Sequence, residues 1–137
     1  MKTKTEYESI AHAKTRLRYH VIFSTKYRRK CLDGIRESVL GAFRKAERKS
    51  SFRILAMELD KDHIHLLLKW KPSLSILQII RRLKMLTTKY IWDENETYLR
   101  HFYWKKTQRK LWSGGYFCST IGNVSEKTLK NYIENQG

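Results

Sequence analysis

The chain has little of what would divide, staple or anchor it. Pro72 is its only proline, so no proline-rich linker separates parts of the 137 residues. Cys31 and Cys118 are its two cysteines. They lie far apart, outside any metal-ligand spacing, and read as buried thiols in a reducing cytoplasm rather than as a disulfide. No apolar run approaches the roughly 18 residues that cross a bilayer. The polar start, Met1 to Thr5, leads into no apolar segment, so no signal peptide is expected. Also missing are a phosphate-cradling Gly-Lys-Ser/Thr loop and a G-x-G-x-x-G turn after a strand, which argues against nucleotide-driven chemistry. Acidic residues are scarce as well: 13 Asp and Glu face 29 Lys and Arg, a net charge of +16. That excess favours a polyanionic partner, nucleic acid before an anionic membrane surface.

What remains is enough for one compact domain over 1–137. The hydrophobic fraction of 41% can build a core. Residues 1–15 carry little pattern and read as a loose arm. Leu17, Tyr19, Val21 and Phe23 alternate with Arg18, His20, Ile22 and Ser24, the period of a strand. Ile35, Val39, Phe43 and Ala46 recur at helical spacing, giving an amphipathic helix over 33–49. Phe52–Leu59 and His63–Trp70 read as strands joined by the turn Asp60-Lys61-Asp62. Ser73 is placed to cap a helix over 74–91, whose apolar stripe is Ile76, Ile80, Leu83, Thr87 and Tyr90. Residues 93–113 read as irregular. Tyr116–Ile121 follows as a fourth strand, and Ser125 caps a final helix. The first six elements run strand, helix, strand, strand, helix, strand: the split βαβ order of a ferredoxin-like, RRM-like α+β fold. It has an antiparallel sheet with helices on one face, and here a C-terminal helix carrying Tyr132.

Three groups of residues could carry chemistry. His63 and His65 are two apart on a strand, so both imidazoles point to one face while Ile64, Leu66 and Leu68 point to the other. Two neutral imidazoles side by side are half of a divalent-metal site, or simply two exposed strand histidines. Tyr132 and Gln136 stand one helical turn apart. A tyrosine beside an apolar stripe is ordinarily packing, and a phenol with a pKa near 10 needs activation to act as a nucleophile. The segment 98–112 interleaves Tyr98, Phe102, Tyr103, Trp104 and Trp112 with Lys105, Lys106, Arg109 and Lys110. Aromatics that stack on bases beside cations that meet phosphates suit single-stranded nucleic acid; the other reading is a packed loop with solvated lysines. Further cations stand at Arg28, Arg29 and Lys30 in the loop after the first strand, and at Arg81, Arg82 and Lys84 on the basic helix. Asp62 reads as a turn residue. Glu58 is a supporting or catalytic acid, or a surface residue, and His20 is open in the same way.

At this point the chain resembles a known family. Tyr19-His20-Val21-Ile22-Phe23-Ser24-Thr25-Lys26-Tyr27-Arg28 is similar to the opening strand of the single-tyrosine HUH transposases of small bacterial insertion sequences, the REP-associated-like transposases that act on single-stranded DNA. Asp62-His63-Ile64-His65-Leu66-Leu67 matches their His-hydrophobic-His motif. Gly115-Tyr116-Phe117 and Ser119 to Ser125 match their last strand and the break after it, and Tyr132 to Gln136 their tyrosine helix. The resemblance runs from about residue 17 to the end. It departs at Lys61, where the family pattern often has proline. It implies that His63, His65 and Gln136 hold Mg²⁺, with Mn²⁺ as a substitute, and that Tyr132 attacks the scissile phosphate to leave a 5′-phosphotyrosine and a free 3′-OH. It implies cleavage and rejoining of single-stranded DNA at hairpin-marked element ends by a homodimer in the cytoplasm, at the nucleoid. DNA contacts are expected from Arg28, Arg29, Lys30, Arg81, Arg82, Lys84, Lys105, Lys106, Arg109 and Lys110. Two alternatives stand beside this: a non-catalytic RNA- or DNA-binding module of the same fold, and a domesticated relative acting on repeated palindromic DNA. The chain stops at Gly137, immediately after Gln136, whereas the second typically carries a tail, which favours the mobile-element version.

Overall fold

A computed structural model of the chain describes residues 18–70, 74–105 and 108–121. They form an α+β domain in which β1 (Arg18–Ser24), β2 (Phe52–Leu59), β3 (His63–Trp70) and β4 (Phe117–Ile121) make one antiparallel sheet in the order β2-β3-β1-β4. Helices α1 (Arg36–Arg48) and α2 (Ile76–Arg100) pack together on one face. This is the ferredoxin-like arrangement expected from the element order. The expected arm at 1–15 and the final helix lie outside the described residues.

The core follows from strand alternation. Val21 pairs with Leu66 and Phe23 with Ile64 across β1 and β3. All four are fully buried against Val39 and Phe43 of α1 and Ile80 and Leu83 of α2. Consecutive residues point to opposite faces, so His20, Ile22, His63 and His65 belong to the side away from the helices. A bulge in β2 between Ile54 and Ala56 changes the phase of that strand. Before it, Phe52 and Ile54 bury toward the helices; after it, Leu59 does. The extra residue therefore turns Glu58 to the histidine side, in register with His65. Glu47 of α1 braces this stretch: its carboxylate accepts from the Ile54 N–H at 2.6 Å, while Arg44 donates to the Ile54 carbonyl at 2.8 Å.

Helix boundaries differ from expectation in three places. A 3-10 turn, Asp33–Ile35, precedes α1, so the regular helix starts later than residue 33. The cap of α2 is Ser75, not Ser73: its hydroxyl accepts from the Gln78 N–H while the Gln78 side chain accepts from the Ser75 N–H, a complete capping box. And α2 runs on to Arg100 instead of ending near 91. The charged run Asp93–Glu96 hides the continuation, but Trp92 and Leu99 share the buried side and hold it to the core. Asn95 leaves helical geometry (φ −133°, ψ 33°), and its side chain donates to the Ile91 carbonyl at 2.8 Å and to Ser38 at 2.7 Å, so the helix kinks there without ending.

Candidate active site

β1 and β3 run side by side at the centre of the sheet, with Ile22 opposite His65 and Ser24 opposite His63. This register brings a third imidazole to the pair. His20 Nε2 and His65 Nδ1 lie 2.9 Å apart, so one ring N–H donates to the lone pair of the other. Both rings are buried. Burial, followed by the neighbouring His20 and His63, lowers the His65 pKa to about 4, and burial alone lowers that of His20. Both are therefore neutral at neutral pH, the form of imidazole that binds metals. When Nδ1 of His65 is the donor to His20, Nε2 of His65 carries the outward lone pair.

His63 is oriented from its other side. Its Nδ1 donates to Asp62 Oδ1 at 2.8 Å, which leaves the lone pair on Nε2. Asp62 Oδ2 in turn accepts from Arg28 Nε at 3.0 Å. The hydrogen bond from His63, then that from Arg28, holds the Asp62 carboxyl below its ordinary pKa. Asp62 thus stands in the turn before β3, as expected, but its side chain also holds the His63 ring. It precedes the first strand residue, where alternation does not yet bind its side chain, and it reaches back to the ring. Its carbonyl also accepts from the Thr25 N–H at 2.9 Å, which pins β1's end to the same turn.

His63 and His65 therefore meet with ring centroids 5.0 Å apart, each with one nitrogen engaged by a supporting side chain. This donor chemistry fits two ligands of a metal site. Among the described residues no three His, Cys, Asp or Glu side chains form a group that could hold a metal ion. Tyr132 and Gln136 lie outside the described residues.

The expected DNA-contacting cations divide into several environments. Arg28 is ion-paired with Asp62. Lys30, Arg81 and Lys105 are exposed. Arg82 donates to Ser50 and the Lys49 carbonyl at the opposite end of the sheet from His63. Lys84 donates to the carbonyls of Ser113 and Gly115 at 2.8 and 3.0 Å, tying α2 to the approach to β4, and burial lowers its pKa. Arg109 pairs with Asp93 and Glu96. Lys106 lies outside the described residues.

Two loops distant in sequence join beside Arg28. The Lys26 N–H donates to the Leu111 carbonyl at 2.7 Å, and the Tyr103 hydroxyl donates to the Lys26 carbonyl at 2.9 Å. Arg29 sits near the rings of both Tyr27 and Trp104, and the Lys110 amine donates to the Tyr27 hydroxyl at 3.5 Å. Tyr27 and Arg28 hold positive φ, 59° and 51°. Left-handed backbone costs a non-glycine residue on the order of 1–2 kcal/mol, so the surrounding contacts must impose it. The aromatic segment 98–112 proves mostly structural: Tyr103 and Trp112 are buried, and Tyr98 and Phe102 pack on the core. Trp104 remains exposed and lines a cleft with Tyr27, which no pattern within 98–112 could reveal.

The chain is similar to known proteins in sequence and in fold. The family described as "Transposase IS200 like" matches the chain over residues 13–136. The transposase of insertion sequence element IS200 from Salmonella typhimurium (strain LT2) is 30% identical over 130 residues, 94% of this chain and 82% of its own. A crystal structure from Deinococcus radiodurans R1, provisionally assigned as a transposase, superposes with a TM-score of 0.67 at 27% identity, over 87% of this chain and 89% of that one. The REP-associated tyrosine transposase, solved bound to a REP hairpin, shares the fold with a TM-score of 0.55 at 16% identity, over 87% of this chain and 62% of that one.

Proposed function

The chain belongs to the IS200-like transposase family, and from that premise we propose that it cleaves and rejoins single-stranded DNA at hairpin-marked element ends, with Tyr132 as nucleophile and His63, His65 and Gln136 as metal ligands. The observation that carries this reading is the paired histidines: two imidazoles on one strand face, one kept neutral by burial and braced by His20, the other braced by Asp62. Mg²⁺, or Mn²⁺ in its place, would polarise the scissile phosphate and neutralise charge as the bond breaks. An ion that prefers oxygen would take the Gln136 amide oxygen, waters and the phosphate to complete its shell.

The Tyr132 phenol loses its proton as its oxygen bonds to phosphorus, the P–O3′ bond breaks, and the departing 3′ oxygen is protonated. The product is a 5′-phosphotyrosine and a 3′-OH. Because the phosphodiester count is unchanged, attack by another 3′-OH reverses the step with no ATP. The basic chain, at +16, supplies long-range attraction for the DNA. Hairpin recognition is supported by the REP-hairpin complex of a protein of the same fold. A homodimer is part of the reading and is tested by molar mass in solution.

The test is a covalent trap. The protein is incubated with labelled single-stranded hairpin DNA and Mg²⁺ and then denatured. A protein–DNA adduct absent in Tyr132→Phe supports the enzyme; an adduct that persists in that variant assigns another tyrosine. No adduct in the parent chain would leave a non-catalytic binding module.

A further inference from the structure

Three of the four tryptophans are ordinary core residues. Trp70, Trp92 and Trp112 are buried, and each donates its ring N–H to an internal acceptor. Trp104 is different: it is 66% exposed. Beside it stands Tyr27, 63% exposed and held outward by the strained turn at 27–28. The Arg29 guanidinium lies 5.5 Å from the Trp104 centroid and 5.7 Å from that of Tyr27. Its Nε is buried and, among the described residues, has no hydrogen-bond partner. These residues, with Lys105, Gln108 and Lys110, line a cleft of about 260 Å³. Among the described residues its charged lining is wholly cationic.

We propose that this cleft clamps one unpaired base of the DNA substrate. The volume lies below the roughly 300–1,000 Å³ of drug-sized pockets, so it takes one ring system and excludes a base pair. Two exposed aromatic faces offer stacking, which accepts any base, and the Gln108 amide offers both a donor and an acceptor to the base edge. Lys105 and Lys110 stand at the cleft to meet the flanking phosphates. Its location gives the clamp its role. Tyr27 is bonded to Arg28, Arg28 pairs with Asp62, and Asp62 orients His63. A base in the cleft therefore belongs to the strand that approaches His63, and demanding that it be unpaired selects single-stranded DNA. This inference rests on the reading of the protein as a single-strand DNA enzyme.

The test uses the full chain and a labelled hairpin with an unpaired flank, in which each flank position in turn is made abasic. Affinity is read by fluorescence anisotropy for the parent, Trp104→Ala, Trp104→Phe and Tyr27→Ala. On the intact flank, Trp104→Ala binds on the order of 5- to 150-fold more weakly, the range for losing one base stack. Trp104→Phe recovers most of that loss. In the parent one abasic position weakens binding by a similar factor, and in Trp104→Ala and Tyr27→Ala that position no longer matters. Unchanged affinity in Trp104→Ala, or a loss equal at every abasic position, overturns the clamp. Adduct formation on the same substrate keeps the two readings apart. Base sensitivity without adduct contradicts the enzyme and leaves the clamp; adduct without base sensitivity contradicts the clamp alone.

Discussion

Replacing Asp62 with alanine separates a turn residue from a residue that positions His63. The carboxylate accepts from His63 Nδ1 at 2.8 Å and from Arg28 Nε at 3.0 Å, while the backbone carbonyl that holds Thr25 is untouched by the substitution. The Arg28 side chain is 63% exposed, so the ion pair contributes at most about 1 kcal/mol to folding. The His63 hydrogen bond to a charged acceptor adds at most about 1.5–3 kcal/mol, less here because both groups are partly wet. A stability loss below about 3 kcal/mol is therefore expected in urea titration. Metal affinity should suffer more selectively. Removing the group that orients a ligand imidazole lowers affinity about 10- to 100-fold, or about 1.4–2.7 kcal/mol. The assay is Mn²⁺ titration by calorimetry, followed by cleavage at rising Mg²⁺, where Asp62→Ala should need about 10- to 100-fold more metal for half-maximal rate. Metal-free DNA binding should not weaken, because the variant loses a negative charge. Unchanged Mn²⁺ affinity would refute the reasoning and return Asp62 to the turn.

Two further outcomes follow from the same geometry. His20→Ala removes the partner of a buried His65 nitrogen, so Mn²⁺ affinity should fall about 10-fold or more; an unaltered titration would make the His20–His65 contact a packing feature only. Ser75→Ala breaks one arm of the α2 capping box and should cost about 1 kcal/mol, a melting shift of about 4 °C, with cleavage at 25 °C unaffected. No shift would mean that the neighbouring Gln78–Ser75 hydrogen bond suffices alone.

Local pattern reached far into this fold because most of its signals are periodic. β3 was legible from the alternation of Ile64, Leu66 and Leu68 with the two histidines, and α1 from Val39, Phe43 and Ala46. What escaped depends on distant partners. The bulge after Ile54 reverses the facing of Glu58 and leaves no mark in composition. The end of α2 was hidden because charged residues outside the buried stripe carry no signal, while Trp92 and Leu99 only declare themselves once packed. His20 looked like any strand histidine until β1 and β3 became neighbours. Asp62 lay just before its strand, where alternation says nothing about direction. The aromatic-basic segment reads as a single-stranded nucleic-acid contact or a packed loop; four of its five aromatics serve the core, and the exposed one shares its cleft with a residue 77 positions earlier. Tyr132 and Gln136 rest on the matched C-terminal block rather than on geometry.

The most direct measurement of the central claim is adduct formation under metal control. Parent protein and His65→Ala are mixed with labelled hairpin DNA in EDTA and then in excess Mg²⁺, denatured, and resolved by mass. The account predicts no adduct in EDTA, an adduct in the parent once Mg²⁺ is added, and none in His65→Ala, although both proteins bind the DNA. An adduct of equal yield in EDTA, or in His65→Ala, would contradict it.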